Sequence, residues 1–418
     1  MSPAFAWADP IRTIGITGTN GKTSTTHLLE AILRAAGHSV LRVSTLGYAW
    51  PGHDYEHLDP SDPAATTATD VGIPITDDGF FGAAERAVAA GARWAVLEAT
   101  SYGLGTGFAR RWRFDEGIFT NLDIDHLASH GSFERYLAAK AQLFLNLGPG
   151  RTAVLNADDP HAAMIARVTP PDVRLRWFSA EGEPSADLAA SRMDVGVDGT
   201  RVELLESSLA EALGGCLHTR MIGEVFGANA LAAAVMADAV GIDAAAIRAG
   251  LAACPVVPGR FEIVAHEPLV VVDYAHSPEA IDLTIAQARR LARGRVVVVG
   301  GAGGSCSSDK RGPMGTAMAH AHRVIVTSDN PRWEDPADVA RPVAEAVRRE
   351  GTELVVELDR ATAIAIAIRT ATPDDIIVIV GKGHETWQVV RGVTLPFSDQ
   401  HEARRIAAER RAVPESRA

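Results

Sequence analysis

The stretch Ile11 to Thr23, IRTIGITGTNGKT, limits what this chain can fold into more than any other segment. A short run carrying the branched residues Ile11, Ile14 and Ile16 ends at Gly18 and Gly21, which bracket Thr19 and Asn20, and Lys22-Thr23 then opens a helical pattern ending HLLEAILRAAG. This order predicts a buried strand, a tight turn and a helix N-terminus. Glycines let the backbone curl so that its N–H groups and the helix dipole converge on an anion, while a lysine and a threonine hydroxyl at the helix start suit terminal phosphates and Mg²⁺. Ile16 stands where the eight-residue phosphate-loop consensus wants glycine, so the loop is a shortened variant. A plain left-handed connection would not call for Lys-Thr at that place.

The rest of the chain must accommodate that unit. At 418 residues and 47% hydrophobic content there is enough apolar material for two domains, or three. The net charge of −12, with both signs interspersed, leaves no basic footprint of the kind that nucleic-acid backbones require. The opening MSPAFAWADP lacks a basic segment followed by an apolar one, and no apolar run reaches membrane-spanning length, so a cytoplasmic location is expected. Cys216, Cys254 and Cys306 are far apart and lack metal-ribbon spacing, which points to isolated thiols. Ala-rich helical patterns alternate with apolar strands, the signature of α/β domains built on parallel sheets.

Along the chain, VLRVSTLGY reads as a second strand, residues 48–79 as a long loop over a site, and a helix is expected from about Gly82 to Ala90. The strand RWAVLEATS brings Glu98 to its carboxyl end, where ligands of open parallel sheets collect, which makes this carboxylate a candidate for the Mg²⁺ shell. A solvent-facing strand-end glutamate is the plainer alternative. EGIFTNL runs into DIDHLASHGSFERYLAAK, where Asp123, Asp125, His126 and His130 form a polar cluster suited to a second divalent cation, followed by a helix carrying Lys140. Residues 161–222 look like a β-rich excursion, Asn229 lies early in an Ala-rich helix, and CPVVPGRFE breaks the pattern near Pro258.

Beyond that break, LVVVDYAHSPEAI delivers Asp273 to a strand end. VVVVGGAGGS invites a dinucleotide reading, but GxGxxG from Gly301 would require glycine where Cys306 stands, so NAD binding is not expected. RVIVTSDNPRWEDP and IIVIVGKGHETWQ each end in polar residues, and Asp329, Asn330, Arg332, Lys382, His384 and Glu385 are expected to line a small-molecule crevice.

Taken in order, GTNGKT, TNLDIDHL…AAK, PGRFE, DYAHSPEAI, TSDNPRWEDP and GKGHE resemble the Mur ligase family, in particular its MurE branch, from about Ile11 to Arg405. The resemblance implies an α/β fold: a P-loop ATPase-type central domain with a parallel sheet, residues 1–258, followed by a Rossmann-like C-terminal domain, residues 259–418, that binds the amino acid or amine. It implies an ATP-dependent amide ligase that activates a carboxylate as an acyl phosphate for attack by an amine, with ATP and two Mg²⁺ ions as cofactors. Residue by residue, Gly18, Thr19, Asn20 and Gly21 match the nucleotide loop, Lys22 the β/γ-phosphate contact, and Thr23, Glu98 and His126 metal ligands. Lys140, fourteen residues beyond His126, matches a lysine that becomes carbamylated, although it also reads as an ordinary helix lysine. Asn229, Arg260 and Asp273 match adenine, phosphate and ribose contacts, Ser101 a substrate contact, and Asn330, Arg332, Gly381 and Glu385 the pocket for an incoming diamino acid. His276 or His384 is a candidate acceptor for the amine's proton. Adenine contacts shared between Asn229, Arg260 and Asp273 imply a hinge near Pro258.

The departures from the family pattern are also informative. Sixteen residues precede Thr17, whereas the family carries a UDP-sugar-binding domain of roughly a hundred residues there. Cys306 replaces an arginine that meets the incoming amino acid's α-carboxylate, a loss on the order of 2 kcal/mol or more. Phe226 and Tyr102 stand where asparagine and histidine are usual. The expectation is therefore a ligase joining a small carboxylic acid that is not a UDP-sugar to an amine. Partners are then small molecules, with no nucleic acid and no membrane and no partner protein indicated. The alternatives are a peptidoglycan-precursor ligase needing a partner for the missing domain, or a nucleotide-binding member without turnover.

Overall fold

A computed structural model describes Ala8 and residues 10–56, 77–123, 130–305 and 308–412. The chain divides into two compact units, Met1–Pro255 and Val256–Ala418.

The first unit begins with β1 (Arg12–Thr17), α1 (Lys22–Ala35), β2 (Val40–Ser44), β3 (Gly47–Trp50), β4 (His53–Glu56) and α2 (Asp77–Ala89). It continues through β5 (Trp94–Glu98), α3 (Ser101–Gly105), α4 (Phe108–Arg111), β6 (Glu116–Phe119), α5 (Phe133–Leu145), β7 (Thr152–Asn156), α6 (Ala162–Val168) and β8 (Arg174–Ser179). β9 (Leu188–Gly196), β10 (Gly199–Leu204), α7 (Ser208–Ala212), β11 (Cys216–Thr219), α8 (Glu224–Ala239) and α9 (Ala244–Ala253) complete it. The strands form one sheet in the order β11-β10-β9-β8-β7-β6-β1-β5-β2-β3-β4. Its middle is parallel and its edges are antiparallel. The central strands are apolar on both faces because helices cover both, as parallel sheets require: β1, β2 and β5 are almost wholly buried. Leu41, Leu97, Phe80, Phe108, Phe114 and Phe144 share one continuous core.

Three expectations are corrected here. VLRVSTLGY is two strands, β2 and β3, turned back on each other between Ser44 and Gly47, because Thr45 and Leu46 make a tight connection and not a continuing strand. The helix expected from Gly82 begins at Asp77, ahead of its first glycine. The stretch 48–79, expected as one loop, holds β3, β4 and the start of α2, whereas residues 161–222 are β-rich as expected, with strands β8 to β11 beside the short helices α6 and α7; Ser207 starts α7 by accepting the Ala210 N–H.

The second unit comprises β12 (Glu262–His266), β13 (Leu269–Asp273), α10 (Pro278–Leu291), β14 (Val296–Gly300), α11 (Arg311–Met318), β15 (Arg323–Val326) and α12 (Pro336–Glu350). β16 (Glu353–Val356), α13 (Arg360–Thr370), β17 (Ile376–Val380), β18 (Trp387–Val390), β19 (Val393–Pro396) and α14 (Asp399–Ala412) follow. Six strands form a sheet in the order β12-β13-β17-β14-β15-β16, parallel from β13 to β16, and β18-β19 is a separate hairpin. The helices start where sequence chemistry places caps: Ser277 before Pro278, Asp335 before Pro336 and Asp359 before Arg360 each accept an N–H of the first turn. No helix among the described residues is long and apolar enough to cross a membrane.

Candidate active site

In the first unit, β1 lies between β5 and β6, with Ile16 beside Glu98 and Thr17 beside Phe119. Three strand ends therefore open at one level, and the turn Gly18–Gly21 leaves from the middle one. Gly21 has φ 86°, a left-handed conformation that side chains disfavour. Gly18 is required by contact, since a Cβ there would stand 1.8 Å from the Thr120 hydroxyl. Asn121, at the exit of β6, grips the turn: its carbonyl accepts the Thr19 N–H at 2.9 Å and its Oδ1 accepts the Asn20 N–H at 2.8 Å. Thr120 Oγ1 donates to the Asn20 carbonyl at 2.7 Å.

Two ammonium groups meet this turn. Lys22 Nζ donates to the carbonyls of Gly18 at 3.0 Å and Thr19 at 2.7 Å. Lys140, only 1% exposed, reaches from α5 to donate to the same Gly18 carbonyl at 2.7 Å, its Nζ lying 4.5 Å from the centre of the Tyr136 ring. The Tyr136 hydroxyl is 3.1 Å from Thr19 Oγ1. Cationic side chains thus converge where an anion would lie.

Glu98 is 1% exposed; its Oε1 accepts the Thr45 N–H at 3.1 Å, while its Oε2 is buried with no hydrogen-bond partner among the described residues. Thr23 Oγ1 is 3.2 Å from Thr45 Oγ1. A buried carboxylate oxygen left without a donor, near a threonine hydroxyl, fits a hard oxygen-loving cation such as Mg²⁺. Among the described residues no three His, Cys, Asp or Glu side chains form a metal-holding group, and His126 and Asp125 lie outside the described residues. Ser101 starts α3, and its hydroxyl is 3.0 Å from His130 Nε2. Burial, helped by the Lys140 charge, lowers the His130 pKa and favours the neutral ring. Asn229, on α8, faces the turn: a Cβ on Gly21 would stand 2.4 Å from its Oδ1.

In the second unit, the ends of β15 and β17 are joined by side chains. Asn330 Nδ2 donates to Glu385 Oε2 at 2.8 Å, and Lys382 Nζ donates to that same oxygen at 2.8 Å and to Asn330 Oδ1 at 3.2 Å. The Lys382 side chain is 0% exposed. Burial pushes the Glu385 carboxyl above its ordinary range, with Lys382 working against the shift. A Cβ on Gly381 would stand 2.4 Å from Asp329 Oδ2. Arg332 sits at φ 57°; its N–H donates to Val389 O at 2.9 Å, and its carbonyl accepts the Gly392 N–H at 3.1 Å, so the hairpin holds it in an unfavourable conformation. Asp273, at the end of β13, accepts N–H bonds from Phe261 at 2.6 Å and Ala275 at 2.8 Å, and the Arg260 guanidinium lies 4.7 Å from the centre of the Tyr274 ring. His276 and His384 both pack against that ring, and Cys306 lies outside the described residues.

Thr45, Thr120, Asn121 and Tyr136 were not singled out from sequence. Thr120 and Asn121 carried a usable signal, as the polar residues that follow the apolar strand β6.

The chain matches the Mur ligase middle domain over residues 16–237 and the Mur ligase glutamate ligase domain over residues 259–383. The UDP-N-acetylmuramoyl-L-alanyl-D-glutamate--2,6-diaminopimelate ligase of Thermosynechococcus vestitus is 37% identical over 407 residues, 96% of this chain and 78% of that protein. The ligase of the same name from Halalkalibacterium halodurans is 37% identical over 406 residues, 96% of this chain and 79% of that one. A solved structure of a ligase with this name aligns with a TM-score of 0.65 at 29% identity, covering 96% of this chain and 79% of its own. This chain belongs to the Mur ligase family, ATP-dependent ligases that join an acid to an amino acid.

Proposed function

We propose that this protein uses ATP to join the dipeptide carboxylate of a UDP-N-acetylmuramoyl-L-alanyl-D-glutamate to an amino group of 2,6-diaminopimelate. The reading is supported by the relatives' shared name and by one observation above all, the meeting of Lys22 and Lys140 on the Gly18 carbonyl, together with the buried Glu98 oxygen that has no hydrogen-bond partner among the described residues. It takes precedence over the expectation that the acid is not a UDP-sugar, because the relatives align along 96% of this chain under a name that specifies one.

In this reading the acid's carboxylate attacks the γ-phosphorus, ADP leaves, and the amine displaces phosphate from the acyl phosphate. Gly18, Thr19, Asn20 and Gly21 cradle the triphosphate, and Lys22 shifts its donors from loop carbonyls to the transferred phosphoryl group, whose charge it offsets. Thr23, Glu98, His126 and a carbamylated Lys140 would hold two Mg²⁺ ions. Magnesium, when bound, supplies further neutralisation of phosphate charge. A carbamate on Lys140 keeps one N–H, which the Gly18 carbonyl at 2.7 Å is placed to accept. Ser101, its hydroxyl held by neutral His130, orients the acid. Asn229, Arg260 and Asp273 serve the nucleoside and its phosphate.

Asn330, Arg332, Gly381 and Glu385 receive the diamino acid, with the Arg332 fork suited to its distal carboxylate. His276 or His384 takes the proton released from the attacking amine. Consumption of ATP fits work in the cytoplasm. A second reading, a different acid or amine on the same machinery, is favoured by Cys306, Tyr102 and Phe226, which depart from the family pattern.

The test is purified protein with ATP, Mg²⁺, the UDP-linked dipeptide and meso-diaminopimelate. Product with stoichiometric ADP and phosphate is expected. ADP formed only with other acids or amines would favour the second reading, and AMP with pyrophosphate would contradict both.

A further inference from the structure

The loops assigned to the acceptor amino acid leave the sheet at Val326 and Val380, and a buried arginine lies beneath both exits. Arg360 opens α13, and its side chain is fully buried. Its Nε and Nη2 form a two-point pair with Asp399 at 2.7 Å each. The same Nη2 donates to the Val380 carbonyl at 2.8 Å, and Nη1 donates to the Ser328 carbonyl at 3.3 Å. Val380 directly precedes Gly381 and Lys382, and Ser328 directly precedes Asp329 and Asn330. One guanidinium therefore spans the main chain of both loops immediately before the residues that carry their chemistry. Gln400, next to Asp399, adds a second tie by donating to the Gly383 carbonyl at 2.8 Å.

We propose that Arg360 is a positioning residue for the acceptor site: anchored by Asp399, it fixes the separation of the loops that present Asn330 and Glu385. The planar fork is suited to this because its donors point in fixed directions, whereas an ammonium on a flexible stem holds no such spacing. The charge also matters, since Arg360 faces the carboxylates of Asp329 and Glu385 as well as that of Asp399, and Lys382 is the other cation among them. A site misplaced by an ångström loses rate or affinity even when every contacting residue is present.

This inference rests on the reading of the second unit as the amino-acid site, so its test uses two measurements. Arg360→Lys keeps the charge and removes the fork; Gln400→Ala is the milder variant should the first fail to fold. Hydrogen exchange needs no substrate: the N–H groups of Gly304 and Val389, bonded to Asn330, and of Glu385, bonded to Lys382, should exchange on the order of tenfold faster, while those of β14 keep their rates. Equal acceleration across the sheet, or none, would overturn the proposal. In turnover assays the KM for meso-diaminopimelate should rise roughly tenfold in Arg360→Lys with the KM for ATP within about twofold of the parent. Unchanged acceptor KM in a variant whose loops have loosened would also overturn it. Asn330→Ala separates the two failures: if it leaves the acceptor KM untouched, the reading of the second unit is wrong, and hydrogen exchange alone then decides the role of Arg360.

Discussion

The turn after β1 is held through its own main-chain groups, whereas the loops after β15 and β17 are also joined by buried polar and charged side chains that bond to one another. In the first unit Asn121, Thr120, Lys22 and Lys140 all bond to peptide N–H or carbonyl groups of Gly18, Thr19 and Asn20. In the second, Lys382, Asn330 and Glu385 bond to one another, and Arg360 pairs with Asp399 while also reaching the Ser328 and Val380 carbonyls. The first arrangement joins side chains to neutral peptide groups of the turn. The second buries opposite charges together, so each depends on its partner for solvation.

The largest effect that would break this contrast lies at Lys22. Replacing it with alanine should lower ADP formation by at least about a thousandfold, because phosphoryl transfer relies on positioned charge, and should leave the melting temperature close to the parent's. The Gly18 carbonyl still has Lys140 as a donor in that variant. Full turnover by Lys22→Ala would remove the phosphate assignment.

A sharper comparison sets Lys382→Met beside Lys140→Met in urea unfolding. Lys382→Met strands the Glu385 carboxylate without its cation and should cost on the order of 3 kcal/mol. Lys140→Met leaves the Gly18 carbonyl with Lys22 as donor and should cost about 1 kcal/mol, although it should abolish turnover. Equal losses would erase the distinction between the two regions, and recovery of stability in Lys382→Met/Glu385→Leu would strengthen it.

Smaller again is Gly21→Ala. A left-handed conformation costs an L-residue roughly 1–2 kcal/mol, and the new Cβ must displace the Asn229 amide, which stands 2.4 Å away. The KM for ATP should rise on the order of tenfold. An unchanged KM would mean that the turn adopts another shape when nucleotide is bound.

The smallest effect concerns thiols. Burial, with the Glu30 carboxylate nearby, pushes the Cys254 pKa up to about 12, so at pH 8 it should resist alkylation until the protein unfolds, while the half-buried Cys216 reacts before it. Mass-spectrometric mapping of the labelled thiols checks the order.

The same contrast explains what could be seen in the amino-acid order alone. The strand, turn and helix from Arg12 to Ala35 were legible because apolar spacing, glycines and Lys-Thr act within a few residues of one another. Strand ends bearing Glu98, Asp273 and Asn330 were legible for the same local reason. The grip of Asn121 on the turn and of Lys140 on Gly18 joins residues more than 100 positions apart, and no local pattern announces it. Arg360 and Asp399 look like ordinary helix-start residues; only the fold brings them under two strand exits. The turn between β2 and β3 was missed because Ser44-Thr45-Leu46 lacks the glycine or asparagine that marks most tight connections, the glycine coming one residue later. His126 and Cys306 lie outside the described residues, and their roles rest on resemblance alone.

The most direct test follows oxygen atoms. If the acid's carboxylate is labelled with ¹⁸O and the reaction runs with ATP, Mg²⁺ and the amine, formation of an acyl phosphate carries one labelled oxygen into each inorganic phosphate, with ADP as the other product. Label recovered in AMP, or phosphate released without label, would contradict the account.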